Sequence, residues 1–374
     1  MTIRPSTTTL GVMDEATPAH DQRRPPRSHP RSDRRRVRPV RLGPVSFRLN
    51  LRTWALIAAA TVALLAFAAW SLTLGSYPVP VREVVASVFG RGSEDHDFIV
   101  RTLRLPRMLA ALMVGAALGM SGAIFQGLVR NPLVSPDIIG INQGATTVAI
   151  LWIVSGQAVS LLPPVAFAGA TLAALTVYAL SWRGGIAPSR LVLVGIGVNA
   201  VAAAGTTYIL VRFPIERVGS AVAWSAGSVY ASSWEDVRIL AIALVLLVPL
   251  AAALTWHLRL LQFGDDTAAS LGLPVEPTRL LLVLVGCAFA AISVSLAGPI
   301  GFVALMVPHV ARMLAGAMTG SVLVLTAILG AFLLLASDVV GQHAMPVPLP
   351  VGVVTAVVGA PYFLFLLYRS NARL

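Results

Sequence analysis

The sequence has no lysine, so all 28 of its basic residues are arginine. A Walker A loop needs a lysine on the phosphates of its nucleotide, and the chain therefore contains no P-loop ATPase site. Schiff-base catalysis, which needs a lysine amine, is excluded as well. If the protein performs work, we expect its energy to come from another subunit.

Cysteine is nearly absent, because Cys287 is the only one in the chain. It lies in an apolar run, where we expect a buried structural thiol with no disulfide partner in the chain. The sequence contains no CxxC, HExxH or similar ligand spacing. We therefore predict neither a metal site nor a bound cofactor, and a membrane-embedded enzyme is disfavoured for the same reason.

Charged residues are scarce: 12% of the chain is charged and 56% is hydrophobic. An average soluble domain has roughly 25% charged residues. A globule of this composition would lack a polar surface, which excludes a soluble enzyme. Apolar runs long enough to cross a bilayer recur from Trp54 to Tyr368, and they predict an all-α polytopic membrane protein.

A helix that crosses a bilayer needs roughly 20 apolar residues. The sequence offers ten such segments: 53–75, 106–128, 138–157, 162–182, 190–212, 236–256, 279–298, 302–317, 321–342 and 349–369. The eighth is short enough to be re-entrant. An even number of spans places both termini on one side of the membrane.

Residues 1–52 hold 12 arginines and four acids, which gives this segment a net charge of +8 out of +12 for the chain. Nucleic-acid binding is one interpretation. The other is a disordered Arg/Pro-rich cytoplasmic tail that follows the positive-inside rule. We favour the tail, with no nucleic-acid partner, because the segment has almost no apolar residue before Val37 and cannot bury a core. Residues 53–374 then form the transmembrane domain, and both termini are cytoplasmic.

Residues 101–107 read RTLRLPR and carry three arginines without an acid, in a loop predicted to lie outside. The positive-inside rule disfavours such a cluster there. One explanation is a helix start at Pro106 whose arginines reach lipid headgroups. The other is a docking site for an acidic partner. The residues alone leave both explanations open.

Small residues mark the second span, where Gly115 and Gly119 form a GxxxG pair that Gly122 follows. Such residues let helix backbones approach closely in lipid, so we predict helix packing here, with a lining of the transport path as the alternative. In the fifth span Asn199 is polar at membrane depth and must find a partner or face water.

The longest predicted inner loop, 257–278, has FGDDTAASLGLPVEP at its centre. Asp265 and Asp266 suit the start of a short helix, Gly272 would end it, and Pro274 would stop its continuation. An ordinary loop helix and a docking helix for a cytosolic partner are both compatible with this pattern.

Four segments carry a family resemblance. They are LRLPR at 103–107, VGAALGMSGAIFQGLVRNPLVSPDIIGINQGA at 114–145, GFVALMVPHVARML at 301–314 and LPVGVVTAVVGAPYF at 349–363. The order and spacing of these segments are intact. Over about 53–370 the chain therefore resembles the FecCD/BtuC-like permeases of ABC importers for iron–siderophores, haem and cobalamin.

The resemblance implies a ten-helix, BtuC-like type II importer permease in the bacterial inner (cell) membrane. It further implies a second permease subunit, an ATPase dimer that uses ATP and Mg on the cytoplasmic face, and an extracytoplasmic substrate-binding protein. This chain would then not be an enzyme. A ferric siderophore is the expected cargo, and cobalamin and haem are the alternatives. A proton-coupled secondary transporter, with Asp338 as its relay, is the alternative from another class.

The resemblance also assigns residues. Arg104 and Arg107 match arginines that meet the binding protein, and Pro188 and Ser189 match the cytosolic gate, to which we add Asn199 in the translocation path. The segment that matches the helix coupling the permease to its ATPase contains Asp265, Asp266, Ala268, Ala269, Leu271 and Gly272. The family often has a further Arg and a Glu where this sequence has Gln342 or His343 and Pro348. This departure favours a heterodimer, in which a second chain supplies them.

Overall fold

The computed structural model describes residues 37–42, 45–75 and 77–371, with side chains from residue 50 to residue 369. The chain divides into two units, Met1–Asn50 and Leu51–Leu374. In the first, strands β1 (Val37–Leu42) and β2 (Val45–Asn50) pair in antiparallel register, from Val37 opposite Asn50 to Leu42 opposite Val45.

These strands lie within 1–52, the segment that we predicted to be a disordered tail. In β2, Val45, Phe47 and Leu49 alternate with polar residues. Such period-two alternation of β-branched and aromatic residues favours a strand. Residues 1–36, the rest of the predicted tail, lie outside the described residues.

All the regular secondary structure in the described residues of the second unit is helical. Its helices are α1 (Leu51–Ser71), α2 (Val81–Val88), α3 (Glu94–Asp97), α4 (Leu105–Val129), α5 (Ile141–Val154), α6 (Leu162–Ser181), α7 (Pro188–Arg212), α8 (Ile215–Ser225), α9 (Trp234–Leu261), α10 (Asp265–Ser270), α11 (Val275–Ala297), α12 (Val303–Ala315), α13 (Gly320–His343) and α14 (Val351–Asn371). A π-helical segment, Phe98–Arg104, leads into α4, and a single 3-10 turn, Val159–Leu161, precedes α6.

Eight of the described helices are long and apolar enough to cross a membrane, and two shorter apolar helices, α5 and α12, accompany them. Together these ten match the ten predicted segments, which confirms the all-α polytopic fold class. The eighth segment is short, as predicted: α12 has 13 residues and contains Pro308. It starts after Phe302, whose φ of 66° is left-handed.

Helix α4 lies at the centre of the bundle, where it packs against α9, α11, α12 and α13. In the most apolar 18-residue stretch of the span that contains α4, 78% is buried inside the bundle, against 17% in the corresponding stretch of α7. The glycines that we predicted to pack helices are on α4. A Cβ on Gly115 would collide with the backbone of Gly330, and a Cβ on Gly122 would collide with the backbone of Ala304. Gly119 is looser, since its Cβ would lie 3.0 Å from the carbonyl oxygen of Thr326.

The short helices divide between the two ends of the bundle. Helices α2 and α3 follow α1, and α8 follows α7, so they share one end, which we call the α2 end. Helix α10 joins α9 to α11 at the other, the α10 end, together with the turn 182–187 between α6 and α7 and the turn 130–140 between α4 and α5. The predicted site residues lie at these ends, apart from the α4 glycines and Asn199.

Candidate functional site at the two ends of the bundle

Arg107 at the α2 end is already paired within the chain. Its Nε and Nη2 donate to Asp338 Oδ2 and Oδ1 at 2.9 and 2.8 Å, and the two side chains are only 13% and 4% exposed. The guanidinium also lies 4.8 Å from the ring centroid of Tyr230, and Gln342 Nε2 donates to Asp338 Oδ2 at 2.7 Å. This bidentate pair joins α4 to α13 and neutralises Arg107 and Asp338.

Arg104 is less fully engaged. Its Nη1 donates to the carbonyl oxygen of Leu72 at 2.7 Å and its Nη2 to that of Tyr77 at 2.5 Å. These bonds attach the segment after α1 to the start of α4, but carbonyl acceptors leave the positive charge of Arg104 unbalanced. With Arg107 and Asp338, Arg104 lines a cavity of about 260 Å³ that opens at this end.

Arg101 is the exposed cation of the same cluster. Its carbonyl oxygen accepts a hydrogen bond from Trp234 Nε1 at 2.8 Å, which fixes the backbone against the start of α9. Within the part of the chain that the structure describes, no carboxylate pairs with its guanidinium. Our prediction from sequence omitted Arg101 from the site residues, although it belongs to the same run of three arginines.

Helix α10 occupies the segment where the sequence predicts a docking helix. Gly264 and Gly272 bracket it with φ values of 105° and 82°, a region that favours glycine. Asp265, Asp266, Ala269 and Leu271 are exposed, Leu271 to 63%, whereas Ala268 is buried against the bundle. Ala268 therefore packs the helix against the bundle, and Asp266, Ala269 and Leu271 lie on its exposed side.

Arg279 connects α10 to two other segments, a role that the sequence did not reveal. Its side chain is 4% exposed, and its Nη2 donates to Asp265 Oδ1 at 2.7 Å. Its Nη1 donates to Glu276 Oε1 at 2.7 Å and to the carbonyl oxygen of Ile186 at 2.5 Å. Glu276 Oε2 in turn accepts from the Ile186 N–H at 3.0 Å. The Glu-x-x-Arg spacing at the start of α11 was the available signal.

The predicted gate residues lie on α7 at two different depths. Pro188 begins the helix and Ser189 is exposed at its first turn, beside Arg190, which donates to the carbonyl oxygens of Ser181 and Gly185. Asn199 is ten residues further on, about 15 Å along the axis at 1.5 Å per residue. The structure therefore does not bring Asn199 together with Pro188 and Ser189.

The turn 130–140 packs against α7 near Asn199. A Cβ on Gly140, whose φ is 88°, would lie 3.3 Å from the backbone nitrogen of Asn199. In this turn Asp137 accepts a hydrogen bond from Asn142 Nδ2, and burial raises the pKa of Asp137 to about 7. The buried Asn142 Oδ1 has no partner among the described residues.

Among residues 50–75 and 77–369, no group of three or more His, Cys, Asp or Glu side chains is placed to hold a metal ion. Cys287 is buried and free.

Comparisons with known proteins agree on one family. The sequence model of the FecCD transport family matches residues 63–369. The chain is 40% identical to the ferric enterobactin transport system permease FepG of Escherichia coli, over 88% of this chain and 99% of FepG. It is 39% identical to the Fe(3+)-citrate import system permease YfmE of Bacillus subtilis, over 83% of this chain and 94% of YfmE.

A solved structure supports the fold. It is an inward-facing ABC transporter assigned to the metal-chelate type, superposes with a TM-score of 0.77 at 30% identity, and covers 84% of this chain and 99% of its own.

Proposed function

The chain belongs to the FecCD transport family and is a permease subunit of an ABC importer, and from this premise we propose that it carries ferric siderophores into the cell. The support for this cargo is that both relatives described above are named for iron(III) chelates. Haem and cobalamin are the competing cargoes. As a family member the chain is not the subunit that hydrolyses ATP, and it is a multi-pass membrane protein.

We place the ATPase at the α10 end of the bundle, which then faces the cytoplasm with both termini. The observation that supports this proposal is the set of exposed side chains on and beside α10. It is a helix of six residues that leaves Asp266, Ala269 and Leu271 exposed, beside Phe263, which is 70% exposed. Loops at the end of a bundle rarely expose apolar side chains together unless a partner covers them.

We place the substrate-binding protein at the α2 end. Arg101 and Arg104 form a local positive site at that end, whereas Arg107 has its counterion in Asp338. An acidic partner fits such a surface. The sequence predicts Arg104 and Arg107 as the docking arginines, and the observed pairing favours Arg101 and Arg104 for direct contact, with Arg107 holding α4 in place.

We assign the second permease subunit to the face of the bundle that α7 leaves open. On α7, Leu193, Val201, Tyr208 and Val211 are exposed to between 68% and 82%. We favour a heterodimer, because Gln342 is engaged with Asp338 and is not an outward cation. A different chain can supply the arginine and the glutamate that the family often has near this position.

A bulky residue on the exposed side of α10 should prevent assembly with the ATPase. We expect Ala269→Trp to lower ATPase co-purification at least tenfold, because the indole fills the space that the partner needs, while membrane insertion persists. Ala231→Trp is the matched control, since Ala231 is exposed in the loop before α9, at the other end. Equal ATPase recovery with both variants would show that α10 does not dock the ATPase.

Charge reversal at the α2 end should weaken association with the binding protein. We expect Arg101→Glu to reduce its affinity about tenfold at low salt and less at high salt, because exposed charges are screened. Arg212→Glu, an equal reversal at the exposed C-terminal end of α7, serves as the control. Isothermal titration with the permease in nanodiscs gives both affinities, and an Arg101→Glu variant that binds like the wild type would contradict this docking site.

A further inference from the structure

Arg279 lies where three segments meet at the α10 end. It is nearly fully buried, at 4% exposed, while Asp265 and Glu276 are 48% and 35% exposed. A buried guanidinium needs its charge balanced and its donors accepted. Here two carboxylates balance the charge, and they and one backbone carbonyl accept from Nη1 and Nη2, while Nε has no partner among the described residues. The three acceptors belong to three different segments.

Two of the three segments are neighbours in the chain, because residues 271–274 join α10 to α11, whereas the third is distant in sequence. Asp265 lies on α10, Glu276 on the first turn of α11, and Ile186 in the turn between α6 and α7, 93 residues before Arg279. Two side chains hold the Ile186 peptide groups, since Glu276 accepts from its N–H and Arg279 donates to its carbonyl oxygen. Ile186 is only 1% exposed, and its burial keeps this turn close to α11.

We propose that Arg279 is the positioning residue that passes the displacement of α10 to the turn before α7. This inference rests on the proposed docking of the ATPase at α10. Among the described side chains Arg279 is the one that bonds both to α10 and to the Ile186 backbone. The bonds to the carboxylates are charge-assisted, and the planar guanidinium fixes their directions. A shift of α10 therefore moves Asp265, Arg279 and the 182–187 turn together, and Pro188 and Ser189 follow that turn.

Lysine at this position could not replace the connection. Its ammonium is a point charge and cannot extend one nitrogen to Asp265 while another reaches Glu276 and Ile186. Arg279→Lys therefore keeps the charge but loses the bridge, whereas a role limited to charge balance would survive the change.

The test uses the full transporter in proteoliposomes, with its ATPase and binding protein and a ferric siderophore as the cargo probe. We expect Arg279→Lys and Arg279→Gln to retain ATPase assembly and to hydrolyse ATP within about twofold of wild type. Cargo taken up per ATP hydrolysed should fall at least tenfold in both. Arg183→Gln is the matched control, because Arg183 is an exposed arginine in the same turn, and it should keep the wild-type ratio.

A distance measurement separates transmission from a merely structural role. Cys287 is buried, and a Cys287→Ser background lets Arg183→Cys and Ser270→Cys carry spin labels, because both positions are exposed. In the parent protein we expect the distance between the labels to stay constant when ATP binds. With Arg279→Lys added, the distance should change with ATP.

Three outcomes decide the matter. Wild-type uptake per ATP in Arg279→Lys, with a constant label distance, would overturn the role of Arg279. If Arg279→Gln does not assemble, Arg279→Lys alone decides it, since that variant keeps the positive charge beside Asp265 and Glu276. Failure of the unmutated chain to bind its ATPase would instead refute the proposed function, and that result is read before any variant is made.

Discussion

Gly122→Val is expected to yield no correctly folded permease. A Cβ at Gly122 would overlap the backbone of Ala304, so α4 and α12 could not keep their present contact. Overpacking of a well-packed core commonly costs about 1–3 kcal/mol when side chains can yield, and here the obstacle is backbone. We expect Gly122→Ala to lose about 3 kcal/mol or more and Gly122→Val to be recovered only as aggregate.

Gly219→Ala provides the matched comparison, because Gly219 is helical in α8 and a Cβ there meets nothing within 4 Å. Alanine is favoured over glycine inside a helix by about 1 kcal/mol, so this variant should be as stable as wild type or slightly more so. Thermal unfolding in detergent measures the stability of the Gly122 and Gly219 variants, and size-exclusion chromatography shows whether each is monodisperse. A monodisperse Gly122→Val protein with the wild-type Tm would show that α4 does not approach α12 as described.

The Arg107–Asp338 pair should behave as a buried ion pair. Removal of one partner from such a pair costs about 3–5 kcal/mol, because the other charge is left uncompensated in a medium of low polarity. We therefore expect Arg107→Leu and Asp338→Leu each to destabilise the protein by roughly that amount. The double variant should lose much less than the sum, because it leaves no unpaired charge.

A double-mutant cycle measured by thermal or denaturant unfolding tests this coupling. Arg101→Leu is the control at the same end, since Arg101 is exposed and has no carboxylate partner among the described side chains. It should change stability by less than about 0.5 kcal/mol. Additive effects of Arg107→Leu and Asp338→Leu would contradict the pairing and would return Arg107 to the set of free docking cations.

The features of this fold that depend on residues close together in the chain could be predicted from sequence. Apolar runs of bilayer length fix the number of spans, and Gly264 and Gly272 bound the helix that Asp265 begins. The strands at residues 37–42 and 45–50 follow from an equally local alternation of apolar and polar residues. The high charge of the surrounding segment concealed this alternation. In each of these cases the pattern repeats within a few residues, which is the range over which sequence reasoning works.

The pairings across the bundle could not be predicted in this way. Arg107 and Asp338 are 231 residues apart, and Arg279 and Ile186 are 93 apart. Which arginine of RTLRLPR meets a carboxylate depends on the rotation of α4 against α13, which composition does not encode. Similarly, the bonds of Arg279 depend on where α10 folds back onto α11, and its acceptor at Ile186 is a backbone carbonyl without any sequence signal.

We propose that ATP bound by a partner at α10 drives the import of a ferric chelate through this subunit. The most direct test is uptake by proteoliposomes that contain the permease, its ATPase and its binding protein, with ferric siderophore, haem and cobalamin supplied in parallel. We predict uptake of the ferric siderophore that requires ATP hydrolysis and is lost when the ATPase is omitted. Uptake that a proton gradient drives without the ATPase would contradict the account.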